Sequence, residues 1–197
     1  MAKVKVNYSR ILKNSKTFDK FSEKNIMQSY NESKEEFFDE FESHPVTREI
    51  ENGPKASNIS RTLNGVGNLF SYIGFNSIDD PISELKSFLK KSFNIKKTNI
   101  EKGSRFVINY PNLEKIKQTT PMPWERGNSW VVGIEKGISG FSNYVYKRFV
   151  EGRSKEALQA ENKLRSGGLK KTSYMTKIIN NFVKNMEQKW KHNSIIY

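Results

Sequence analysis

Carboxylates are the side chains best placed for chemistry in this chain. Glu35, Glu36, Asp39 and Glu40 fall in one short stretch, and helical spacing sets Glu36 one turn from Glu40 and Glu35 one turn from Asp39. A divalent cation could bridge such a pair. No histidine or third carboxylate is tied to it by sequence, and it lies on the polar side of a Phe-striped segment, so it reads as a solvated helix face. Metal-dependent nucleases use an acidic residue and a following Glu-x-Lys on a strand. Three occurrences of that pattern, Glu32–Lys34, Glu84–Lys86 and Glu187–Lys189, fall in segments of helical pattern, where it reads as chance in a Lys- and Glu-rich chain.

The remaining chemistry is thin. Cysteine is absent, which excludes disulfides, thiolate metal sites and cysteine nucleophiles. There are two histidines, His44 and His192, too few for a histidine-rich metal site. His44 precedes Pro45 at a helix end and reads as a capping and packing residue. There is no Gly-x-x-x-x-Gly-Lys-Ser/Thr phosphate cradle and no Gly-x-Ser-x-Gly nucleophile elbow. The expectation is a protein without catalytic activity and without a cofactor or metal.

Contact residues are better represented. Trp124 and Trp130 flank Arg126, as core aromatics bracing a proline loop or as interface anchors. Arg148, Arg153, Lys155, Lys163, Arg165, Lys170 and Lys171 crowd a glycine-punctuated segment. Residues 152–171 hold no aromatic, so a nucleic-acid contact there would be to phosphate and independent of sequence.

Charge supports that direction. The 197 residues carry 34 Lys and Arg against 21 Asp and Glu, a net charge of +13. The balance is zero over residues 1–50, +5 over 51–146 and +8 over 147–197. A polyanionic neighbour, or simply a solvated surface, follows from such a surplus. No apolar run is long enough to cross a bilayer, and the basic start lacks the apolar stretch of a signal peptide. A soluble intracellular setting is expected.

The elements that must position these residues can be read in order. Residues 1–17 read as an extended arm or short edge strand, with Val4, Val6 and Tyr8 alternating. Phe18 to Ser43 reads as a helix with Met27, Tyr30, Lys34, Phe37 and Phe41 on one stripe, ending at His44-Pro45. Thr47 to Glu51 could add a turn, and Gly53-Pro54 breaks the chain. Residues 55–68 read as a loop with backbone demands at Gly65 and Gly67. Leu69–Phe75, apolar on both faces, reads as a buried strand. Asp79 and Asp80 then cap a helix with Pro81 at its first position and Ile82, Leu85, Phe88 and Leu89 inside.

Phe93 to Pro111 reads as a hairpin turning between Thr98 and Gly103, and Asn112 to Gln118 as a turn or two of helix. Pro121, Pro123 and Gly127 stiffen a loop. A second hairpin is expected from Trp130–Ile138 and Asn143–Phe149. Residues 151–171 read as a basic loop. A last helix, capped at Thr172 or Ser173, carries Met175, Ile178, Ile179, Phe182, Met186 and Trp190. The fold class is α+β: a small antiparallel or mixed sheet of about four to five strands, flanked by a long N-terminal, a middle and a C-terminal helix. The expected organisation is an arm (1–17), one domain (18–191) and a short tail (192–197).

Three stretches together carry a family resemblance: FFDEFESHPVTREIENGPKASNISRTLNGVGNLFSYIGF, TTPMPWERGNSWVVGIEKGISGFSNYVY and NKLRSGGLKKTSYMTKIINNF. Their order resembles neck or tail-completion proteins (head–tail connectors) of tailed double-stranded-DNA bacteriophages over roughly residues 35–186. In that group a basic loop and a Ser/Thr–Tyr–hydrophobic element introduce the last helix, as Thr172–Met175 does here. Ser57–Gly65 holds the place of a Thr-Gly-Arg-Leu-like element. The resemblance implies a non-enzymatic virion protein of the head–tail junction, assembled in the host cytoplasm. It further implies a ring of copies, often six, with connector, head-closure and tail proteins as partners, and genomic DNA passing the channel. The contrasting reading is a free nucleic-acid-binding protein that grips duplex phosphates through its basic C-terminal part, without sequence preference.

Overall fold

A computed structural model of the chain describes residues 2–9, 16–63, 67–100, 103–123, 125–136 and 171–194. The chain divides into two compact units. The first gathers residues 1–43, 84–116 and 175–197; the second gathers 44–83 and 117–174.

The first unit is built on helix α1 (Lys16–Ser43). Its buried line is Ile26, Tyr30, Ser33, Phe37 and Phe41, each at most 5% exposed. Steps of three and four keep these residues on one face. The line is turned slightly from the one expected: Ile26 and Ser33 are buried where Met27 and Lys34 are half-buried. Lys34 lies at the border, with its Nζ 5.8 Å from the Phe93 ring centre.

Three strands complete the unit: β1 (Ala2–Ser9), β2 (Asn94–Ile100) and β3 (Gly103–Tyr110). They form an antiparallel sheet ordered β1-β3-β2, with β3 in the centre. The hairpin expected from residues 93–111 is therefore present, its first strand running on past the expected Lys97 to Ile100. Register sets Lys5 opposite Val107 and Val107 opposite Lys96. One residue along, Val6, Phe106 and Lys97 align. Period-two alternation sends Ser104, Phe106 and Ile108 into the core and leaves Arg105 exposed.

The long C-terminal helix, Met175–Ser194, buries Met175, Ile178, Phe182 and Met186. It starts just after the expected cap. Aromatic rings knit the unit: Phe93 lies 5.0 Å from Phe37 and 5.1 Å from Phe182, both edge-on, and Tyr110 lies 5.7 Å from Phe182. Such pairs contribute about 0.5–1.5 kcal/mol beyond area burial.

The second unit holds short elements. Helix α2 (Pro45–Glu51) leads to a single 3-10 turn at Gly53–Lys55. In the loop that follows, Gly67 takes a φ of +80°, which meets the backbone demand expected of it; Gly65 lies outside the described residues. Helix α3 (Leu69–Ile73) stands where a buried strand was expected. The reason lies in its caps: the Asn68 side chain accepts from the Ser71 amide at 2.9 Å, and Gly74 closes the helix at φ +89°. A left-handed stop of this kind suits glycine. Helix α4 (Pro81–Ser92) starts in this unit and continues into the first. Asp80 caps it by accepting from the Ser83 amide, as the sequence indicates. Helix α5 (Leu113–Thr119) likewise runs from the first unit into the second.

Strands β4 (Pro121–Met122) and β5 (Glu125–Ser129) form a two-stranded antiparallel sheet. Trp130–Lys136 is then a helix, α6, and not the first strand of a hairpin. Ser129 Oγ accepts from the Val132 amide at 3.3 Å, so a hydroxyl cap begins the helix, and Trp130, Val131 and Ile134 are buried at helical spacing. The Met175–Ser194 helix is α7. The chain is thus mixed α+β; among the described residues the sheets have three and two strands rather than four to five in one, and two of the apolar runs expected as strands fold as helices. The second strand expected at 143–149 and the basic loop expected at 151–171 lie outside the described residues, except for Lys171.

Candidate functional site

Most of the residues marked by the sequence as contacts lie outside the described residues: Trp124, Arg148, Arg153, Lys155, Lys163, Arg165 and Lys170. Arg126 stands in β5. Lys171 is exposed. Trp130 is 2% exposed, and its ring meets Phe75 edge-on at 6.0 Å. Its amide donates to the Thr120 carbonyl at 3.0 Å, and the Thr120 and Ser129 hydroxyls share a buried hydrogen bond.

The second unit contains a buried polar site that joins two of the stretches carrying the resemblance. Tyr174, of the element that introduces α7, is fully buried. Its hydroxyl lies 2.7 Å from Thr47 Oγ1 of α2. The His44 ring packs on it at 4.8 Å, while His44 Nδ1 accepts from the Val46 amide and so caps α2. Burial pushes the Tyr174 hydroxyl well above the ordinary tyrosine range; the Thr47 hydrogen bond offsets part of the rise. The Thr172 amide donates to the Ile134 carbonyl, tying the same element to α6.

Glu49 forms a second fastening. It is fully buried, and its two oxygens accept backbone N–H groups from distant points of the following segment: Leu69 at 2.7 Å and Ser60 at 2.8 Å. A carboxylate satisfied by two amides holds that loop against α2. The Asn68 side chain adds a bond to the Pro54 carbonyl at 2.8 Å. Sequence reading did not single out Glu49. Its partners are backbone groups eleven and twenty residues on, which leave no side-chain pattern.

The acidic cluster on α1 is divided: Glu36 and Glu40 border a helix–helix seam, while Glu35 and Asp39 are exposed, as expected of a solvated face. Glu40 accepts from Asn181 at 2.8 and 3.0 Å, and Glu36 accepts from Asn185 at 2.9 Å and from Lys189 at 2.8 Å. Lys189 also pairs with Glu32 at 3.3 Å. Partners rise by four in α7 as they fall by four in α1, so the two helices run antiparallel. The Gln28 hydrogen bond and the Lys189 contact hold Glu32 below the ordinary carboxylate range. Glu32, Glu36 and Glu40 are occupied by amide and ammonium donors. Among the described residues no group of three or more histidines, aspartates or glutamates is placed to hold a metal ion. No helix among them is long and apolar enough to cross a membrane.

Comparison with protein-family models, with curated proteins and with solved structures finds no match to this chain.

Proposed function

We propose that this protein is a non-enzymatic structural component of a phage virion, a neck or tail-completion protein that forms a ring of six copies at the head–tail junction. The single observation that carries the reading is the buried Thr47–Tyr174 hydrogen bond. Two of the stretches that resemble the neck family, far apart in sequence, meet through it. The tyrosine of the element that introduces the last helix is thereby a structural lock, which is the use a conformational framework makes of such a residue. The overall charge of +13 suits a protein that works beside packaged DNA.

Partners on this reading are further copies of the chain, the head connector or head-closure protein and a tail protein. Head-to-tail contacts between identical subunits close a ring. The test is deletion of the gene from the phage that carries it, followed by electron microscopy of the lysate. Detached tails beside separate heads are the expected outcome; joined, infectious virions would sink the reading. Such a result would leave the second reading, a free duplex-binding protein, which the same positive charge favours.

A further inference from the structure

We propose that the loops 58–63 and 76–80 of the second unit are the two complementary halves of a contact between copies of this chain. The inference rests on the ring reading above only for the reason that copies meet. Three large apolar side chains are exposed among the described residues, and two of them stand in these loops: Ile59, 44% exposed, and Ile78, 90% exposed. A lone surface isoleucine is ordinary. Here each stands two residues before an exposed charge, and the charges are opposite: Arg61 after Ile59, Asp80 after Ile78. Helix α3 separates the loops in the chain. Glu49 accepts from both the Ser60 amide and the Leu69 amide at the start of α3, and the second loop follows the end of that helix.

Arg61 carries the argument furthest. Its φ is +53°, the one positive value outside glycine among the described residues. That backbone suits glycine, asparagine or aspartate. The arginine side chain gains no hydrogen bond or ion pair among the described residues in return. Strain kept without a local return points to a partner outside the fold. The backbone around it is fixed: the Ser60 amide donates to Glu49 at 2.8 Å, Asn58 donates to the Leu63 carbonyl, and the Ser60 and Thr62 hydroxyls lie 2.8 Å apart. In the second loop the Asn76 amide donates to Asp79 at 2.6 Å, and Asp80 Oδ1 accepts from the Ser83 amide at 3.1 Å. Loops braced in this way lose little freedom on binding. A guanidinium pairs with a carboxylate through two parallel hydrogen bonds, and flanking isoleucines keep water from the pair. A phosphate backbone offers Ile59 no apolar counterpart. Copies that each carry +13 repel, so a contact between them needs such a local match. Because its two halves differ, the contact is head-to-tail, the kind that closes a ring.

The test uses the full chain, which has no cysteine of its own. Copies carrying Ile59→Cys and copies carrying Ile78→Cys are mixed and mildly oxidised, with Lys177→Cys and Lys184→Cys on exposed positions of α7 as the control pair. A disulfide-linked dimer is expected from the first mixture, and neither from the control mixture nor from any single variant alone. The double variant I59C/I78C should give a ladder that runs beyond the dimer. Sedimentation then compares Arg61→Gly and Asp80→Asn with the parent chain. Glycine suits the backbone at 61, and asparagine caps a helix as well as aspartate does. Both variants should therefore melt no lower than the parent by circular dichroism, while self-association weakens about tenfold, the scale of one interface anchor. Undiminished association of Arg61→Gly, cross-linking no greater than in the control, or a parent chain that stays monomeric would each overturn the joint. A ring that assembles without this cross-link would leave the ring reading standing on another surface, whereas joined virions after gene deletion overturn the head–tail reading and leave the joint untouched.

Discussion

Thr47 and Tyr174 stand 127 positions apart in the chain and share a hydrogen bond of 2.7 Å between buried hydroxyls. Removing one hydroxyl leaves the other without that partner, where water does not reach. Tyr174→Phe keeps the ring against His44 and should lower stability by about 1–2 kcal/mol. Thr47→Val removes the opposite hydroxyl. The double variant should lose less than the sum of the two single losses, because the orphaned group is gone. Urea midpoints measure all three.

The same residue gives an alkaline signature. Burial holds the Tyr174 hydroxyl above its ordinary value, and burial likewise raises Tyr30 and Tyr110. The folded chain keeps these protons at a pH where the unfolded chain releases them, so the unfolded state binds fewer. Stability is full below the unfolded tyrosine value, about 10, and falls as pH rises through it. Tyr174→Phe should flatten this fall. An unchanged slope in melting temperature above that pH would show that Tyr174 ionises as it does in the unfolded chain.

Glu49→Gln tests the loop fastening. A carboxylate can accept at both oxygens, whereas a carboxamide turns an NH2 toward either the Leu69 or the Ser60 amide. One donor then faces another. The expected loss is about 2–3 kcal/mol, in the range of charge-assisted hydrogen bonds. Amide exchange at Ser60 and Leu69 should accelerate before exchange at residues of α1 does. Uniform acceleration would mean that Glu49 supports the whole fold and not this loop.

Trp130→Ala empties a site in the core of the second unit. Loss of a buried tryptophan costs about 3–5 kcal/mol, so the melting temperature should fall by several degrees or the protein should fail to fold. Ser129→Ala removes the cap of α6, worth about 1 kcal/mol, and the buried hydrogen bond to Thr120, about 1 kcal/mol more. A Trp130→Ala variant as stable as the parent would place the indole outside the core.

Glu32 titrates below its ordinary value, chiefly through the Gln28 hydrogen bond and then through Lys189. Its folded value is depressed, so its contribution is present above the unfolded value and disappears as pH falls through the folded one. Carboxyl chemical shifts should show Gln28→Ala moving the Glu32 midpoint upward, with Lys189→Met doing so as well. A midpoint that stays put in either variant would show that the deleted group does not hold the Glu32 proton off.

Long amphipathic segments were legible in the sequence alone. The phenylalanine spacing of α1, the Asp80-Pro81 start of α4, the 93–111 hairpin and the Met175–Met186 stripe of α7 all carry their period over several turns or a strand pair. Leu69–Ile73 and Trp130–Lys136 were not. Each is a short apolar run that a strand and a helix would bury equally, so periodicity cannot separate them. The deciding groups were the Asn68 and Ser129 caps, single side chains beside the run. The site was less legible still. Glu49 resembles any surface glutamate in sequence, and Thr47 has no local relation to Tyr174. Pairing of β1 with β3 joins Ala2 to Tyr110, a separation that no local rule reaches.

The route of the chain between its two units has a consequence for inheritance. The boundary falls at four places, after Ser43, Ser83, Ile116 and Tyr174. No uninterrupted stretch of sequence therefore encodes either unit. A single recombination joint cannot exchange one unit for another, and neither can be cut out as a fragment and grown alone. Variation must enter by point substitution or by insertion within a loop, and changes in one unit are inherited together with the other.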